Sequence, residues 1–88
     1  MDDSKKGVVI RGFLVATERD RRGRPLEIAV ETDDFQQYIV DHAGRGNELI
    51  KHLSEEVHVQ GRITGTDYRG IQIIEIADYT IISTIPPI

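Results

Sequence analysis

Residues 57–82 read VHVQGRITGTDYRGIQIIEIADYTII. Val57, Val59, Gly61 and Ile63 alternate with His58, Gln60, Arg62 and Thr64. A period of two gives a strand one apolar face; wound as a helix, the same residues would scatter around the axis. GTDYRG then supplies a turn with glycine at either end. The run after it is apolar on two parities, with Ile71 and Ile73 on one and Ile74 and Ile76 on the other, which predicts a bulge. A lone hairpin is at best marginal in water. The rest of the 88 residues must therefore supply strands that close over these isoleucines.

The N-terminal half offers three more strands. Lys6 to Thr17 is the first. Val8 and Ile10 share one parity, Phe13 and Val15 the other, so a switch is expected at Arg11-Gly12, where glycine permits a bend. Gly23 and Pro25 punctuate a loop, and Leu26, Ile28, Val30 and Thr32 then alternate with Glu27, Ala29 and Glu31 in a clean second strand. Asp33 and Asp34 read as turn chemistry. Phe35 to His42 is a weaker third strand.

Gly44 and Gly46 end that strand, and a short helix follows. Asn47 suits the N-cap, Glu48 the first turn, and Lys51 and His52 the last. Leu49, Ile50 and Leu53 form its apolar face. Two turns do not persist alone in water, so this helix must dock. No internal repeat or low-complexity segment is evident.

Three strands, a short helix and two more strands, with a long first strand bent at a glycine, resemble the OB-fold. The run Val57, Val59, Gly61, Ile63 leading through a turn into an apolar last strand is similar to the last two strands of OB domains of the anticodon-binding and single-strand-binding type. An SH3-like barrel also has five strands, but its helical turn precedes the last one. The expectation is an all-β, five-stranded Greek-key barrel over residues 7–82 with one helix between strands three and four. A disordered tail (1–6) and an apolar tail (83–88) flank it. The helix would plug one end of the barrel with Leu49, Ile50 and Leu53.

The resemblance also implies where a ligand sits: on strands two and three, between the loops joining strands one to two and four to five. Those loops carry Arg19, Arg21, Arg22 and Arg24, then Tyr68 and Arg69. Tyr38 on the third strand and Arg62 on the fourth complete the candidate set. Arginine neutralises phosphate and stacks on bases, and tyrosine stacks too. The chain as a whole is acidic, at −4. The segment ERDRRGR holds four arginines against two acids, leaving seven basic and thirteen acidic residues elsewhere. Strong duplex binders are usually basic throughout, which this chain is not; the ligand that the resemblance implies is single-stranded DNA or RNA, held weakly. Glu27 and Glu31 would face that ligand and repel phosphate. In the plainer reading ERDRRGR is only a solvated turn.

No catalysis is expected. There is no cysteine, His42, His52 and His58 share no ligand spacing, and Gly44-Arg45-Gly46 is no phosphate loop. Accordingly no cofactor or metal is expected. MDDSKKGVVIRGFLV lacks a signal-peptide core, and nothing reaches membrane-span length, so the expected compartment is the cytoplasm. The second functional reading is a protein-interaction or oligomerisation module. In that reading the isoleucine-rich surface of residues 71–85 meets a second copy or another protein, or is covered by the TIPPI tail.

Overall fold

The computed structural model describes residues 7–82. It contains strands β1 (Gly7–Arg19), β2 (Pro25–Glu31), β3 (Gln37–Gly44), β4 (Glu56–Thr66) and β5 (Gln72–Ile82). A 3₁₀ helix spans Gly46–His52, between β3 and β4. The strands close into one barrel in the order β1-β2-β3-β5-β4. All neighbours are antiparallel except β3 and β5, which run parallel. This is an all-β, closed five-stranded barrel with one short helix, consistent with an OB-like fold. Both expected tails, 1–6 and 83–88, lie outside the described residues. Among the described residues no helix is long and apolar enough to cross a membrane.

β1 serves two neighbours: Gly7 to Phe13 pair with β4, and Phe13 to Arg19 pair with β2. The expected parity switch at Gly12 does not occur. Ile10, Gly12 and Leu14 stay on the buried face, and Phe13 points outward at 44% exposure. Gly12 is needed for a different reason. At the hand-over from β4 to β2, a Cβ on it would lie 2.3 Å from the Glu31 carbonyl oxygen. The irregularity in β1 falls instead at Thr17, between the Ala16 and Glu18 pairs, and is answered on β2 by Leu26. That bulge turns Leu26 out to 54% exposure, although alternation places it with Ile28 and Val30.

The last hairpin is corrected in the same way. Ile74 and Ile76 fill the interior, and Ile73 faces out, with no switch between 73 and 74. The extra residue on β5 is Ala77, between the Gln60–Asp78 and Gly61–Ile76 pairs. Beyond it Tyr79 and Ile81 return to pack on the core. Ile71, Ile73, Ile81 and Ile82 are half-buried, so the barrel absorbs much of the apolar surface of this strand; Ile85 lies outside the described residues.

Two of the three expected plug residues reach the core: Leu49 within the helix and Leu53 just after it, but not Ile50. Leu49 is fully buried in the core, while Ile50 is 41% exposed and Leu53 follows the helix, half-buried. A 3₁₀ helix has three residues per turn, so positions that share an α-helical stripe diverge on it. Asn47 is not the N-cap. Arg45 holds that position, without a side-chain capping bond. Arg45 instead ties the helix to β5, pairing with Glu48 at 3.1 Å and Asp78 at 2.8 Å. The Tyr79 hydroxyl donates to Glu48 at 2.8 Å.

Candidate functional site

The loops β1–β2 and β4–β5 prove to be the same turn built twice. The first is Asp20-Arg21-Arg22-Gly23-Arg24 and the second Asp67-Tyr68-Arg69-Gly70-Ile71. In each, the aspartate amide donates to the carbonyl of the fifth residue at 2.9 Å, and the glycine amide donates to the aspartate carbonyl at 3.0 Å. In each, the aspartate Oδ1 accepts from the amides of the third and fifth residues, at 2.8–2.9 Å in the first loop and 2.8–3.0 Å in the second. Gly23 and Gly70 adopt φ of 83° and 84°, which only glycine takes without cost. The repeated D-x-R-G was visible in the sequence as a spacing, but it is too short to register as a repeat until the hydrogen bonds make the two copies equivalent.

The fifth residue makes the two loops chemically different. In β1–β2 it is Arg24, whose Nε donates to Asp20 Oδ2 at 3.0 Å. Arg19, expected in the loop, is instead the last residue of β1, paired with Pro25, and folds back to donate to the Gly23 carbonyl at 2.7 Å. Arg21 and Arg22 are exposed, and among the described residues no carboxylate pairs with either. In β4–β5 the fifth residue is Ile71, which leaves Asp67 Oδ2 open. Arg69 takes it, with Nε at 2.8 Å and Nη2 at 2.6 Å.

Arg69 also crosses to β2. Its Nη2 lies 3.0 Å from Glu27 Oε2, and that carboxylate accepts from Thr17 Oγ1 at 2.6 Å. The Thr17 hydroxyl, then Arg69, holds the Glu27 carboxyl below its usual range. The two carboxylates hold the Arg69 guanidinium even more firmly protonated than usual. Backbone and side-chain donors keep Asp20 and Asp67 low as well: the Arg24 amide leads at Asp20, while at Asp67 the Ile71 amide and Arg69 outweigh burial. Glu27 is thus one end of a bridge and already holds a cation. Glu31, also on the outward face of β2, is half-buried and has no ion-pair partner among the described residues.

Arg24 leads directly into β2, and Arg69 reaches Glu27 on the same strand, so both loops are tied to the first half of β2. Next to the bridge runs a row of outward-facing apolar residues in register: Val15 on β1, Ala29 on β2, Ile39 on β3 and Ile73 on β5. Ala29 is fully buried and Ile39 is 8% exposed, although neither belongs to the interior cluster. Alternation assigned Ala29 to a wet face; the row makes that face partly dry.

The aromatics divide. Tyr68 stands out at 93% exposure, with the Arg69 guanidinium 5.2 Å from its ring centroid. Tyr38 packs against the core, its hydroxyl 3.1 Å from Gln36 Oε1. Phe35, expected to open β3, sits in the turn before it, at φ 64° and 81% exposure. Arg62 is not brought to the loops. It pairs with Glu75 at 2.9 Å and lines a groove of about 640 Å³ with Val9, Arg45 and Ala77, to which neither the β1–β2 nor the β4–β5 loop contributes. Among the described residues no cluster of side chains has the makings of a metal site.

No family model matches this chain, and no curated protein matches it either.

Proposed function

We propose that the chain is a small non-catalytic OB-like module that binds single-stranded DNA or RNA weakly, with little sequence preference. One observation carries the reading: two copies of one hydrogen-bonded turn are tied to β2, one leading into it with Arg21 and Arg22 unpaired among the described residues, the other bridged to it by Arg69 and presenting Tyr68. A cationic finger beside an aromatic one is the pairing a single strand calls for, phosphate on one side and base on the other. The loop arginines are not equal in this reading. Arg19 and Arg24 brace the turn; Arg21 and Arg22 remain for phosphate.

Two contacts set the size of the effect. Each phosphate contact to a single strand contributes about 0.7 to the slope of log affinity against log salt, so a slope near −1.4 is expected. The test is a titration of labelled single-stranded DNA and RNA at several salt concentrations. Replacing Arg21 and Arg22 with glutamate should abolish most of that slope while leaving the melting temperature unchanged, because both side chains lie outside the fold. Absence of binding by the wild type at micromolar concentration and low salt refutes the reading. The second reading, a protein-interaction module, then takes its place. It is favoured by Val9, 58% exposed in the groove beside Arg45 and Arg62, a surface independent of both loops.

A further inference from the structure

We propose that Arg69 is a positioning residue, which with Glu27 pins the β4–β5 loop across β2 and so presents Tyr68 as the stacking platform. This deepens the nucleic-acid reading and rests on it. Composition assigns Arg69 to phosphate, as it does every loop arginine. The geometry points elsewhere. The guanidinium reaches two carboxylates at 2.6 and 3.0 Å and lies against the Tyr68 ring. Its side chain is 36% exposed, against 70% for that of Arg24. Nε and Nη2 are committed to the two carboxylates, whose negative charges already neutralise the guanidinium, so only Nη1 is left to face a phosphate.

The bridge has a structural consequence. β2 and β5 are not neighbours, because β3 lies between them. A hairpin tip between β4 and β5 would ordinarily be tied only to itself. Arg69 connects this tip to β2, and Thr17 of β1 fixes the receiving carboxylate. Tyr68, next in the chain, is held outward with one ring face against the guanidinium and its edges in solvent. A base stacking on it then meets a ring carried on a loop already tied to β2, so less loop freedom is lost on binding, which improves affinity without adding a contact.

The two assignments of Glu27 predict opposite signs. If Glu27 merely repels phosphate, Glu27→Gln tightens binding. If it anchors the loop, Glu27→Gln weakens it, since a neutral amide holds a guanidinium less well than a carboxylate does. The experiment measures binding of a labelled oligothymidylate across salt for wild type, Glu27→Gln, Arg69→Gln, the double variant and Tyr68→Ala. Backbone amide exchange of residues 67–71 is followed without ligand.

The expected results are specific. Glu27→Gln and Arg69→Gln each weaken binding several-fold and speed exchange in the loop. The double variant is no worse than the weaker single one, because both break one link. The salt slope stays at the wild-type value in all three. Tyr68→Ala loses roughly fivefold to a hundredfold in affinity, and little further when combined with Arg69→Gln. A fall of about 0.7 in slope for Arg69→Gln would mark a phosphate contact and overturn the proposal. So would tighter binding by Glu27→Gln, or unchanged exchange in both single variants. If the wild type binds but these results appear, only the positioning role falls; if the wild type binds no nucleic acid, the functional reading falls with it.

Discussion

Replacing Gly12 with alanine tests how the barrel is closed. Gly12 has no unusual torsion; its constraint is crowding, because β1 passes from β4 to β2 there. An added Cβ would lie 2.3 Å from the Glu31 carbonyl oxygen, 2.8 Å from its carbon and 3.0 Å from Val30 Cγ1. Two of these three atoms are backbone, so no rotamer change relieves the contact. Either β1 or the end of β2 must move by about 1 Å to reach ordinary van der Waals separation. Overpacking of this kind costs about 1–3 kcal/mol. Alanine recovers about 0.5–1 kcal/mol of that, because it narrows the unfolded ensemble relative to glycine. A net loss of about 1–2 kcal/mol is expected, which in a domain of this size lowers the melting temperature by roughly 5–15 °C. Gly65, an exposed strand glycine near the end of β4, is the control: nothing lies within 4 Å of a Cβ built on it. Gly65→Ala should be neutral or slightly stabilising. The assay is thermal and urea unfolding followed by circular dichroism, with both variants beside wild type. If Gly12→Ala melts with wild type, or no lower than Gly65→Ala, the close crossing of β1 and β2 is wrong.

Two further outcomes follow from packing and charge. Leu49→Ala should cost about 2–5 kcal/mol in urea unfolding, because the side chain is fully enclosed, whereas Ile50→Ala should cost well under half as much; equal costs would contradict the 3₁₀ geometry of the plug. Asp20, Glu27 and Asp67 have carboxyl groups held below their usual range, so each adds stability above the ordinary carboxylate value of about 4 and loses it as pH falls further, through the folded-state values. Melting temperature should therefore drop on acidification below about pH 4, and less steeply in Glu27→Gln, which has no proton to gain at that site; parallel curves for the two proteins would refute the bridge.

Much of the barrel was legible locally. Alternation over Ile28 to Val30 and Val57 to Ile63, the break at Gly44 to Gly46 and the turn residues around Gly23 and Gly70 are properties of short segments. Each reflects a choice the backbone makes with its nearest neighbours: a period of two, a left-handed torsion, an aspartate that can bond its own turn. They were enough for five strands, one helix in the right place and two exposed loops. The bulges were not placed correctly, because a bulge is a mismatch between two strands. Thr17 and Leu26, or Ala77 opposite Gln60 and Gly61, have meaning only in register.

The site divides along the same line. The chain by itself determined that four arginines and an aromatic would stand on turns, since Asp-x-Arg-Gly closes on itself through contacts no more than four residues apart. Only the closed barrel decided which cations remain free. Arg24 stays at home because its own loop offers Asp20, while Arg69 is drawn to Glu27, 42 residues away in sequence. Glu27 changes from a lone carboxylate to a bridged one once Thr17 and Arg69 lie beside it. Pairing between charges depends on distance through space, which the order of residues along the chain does not contain until the strands are in register.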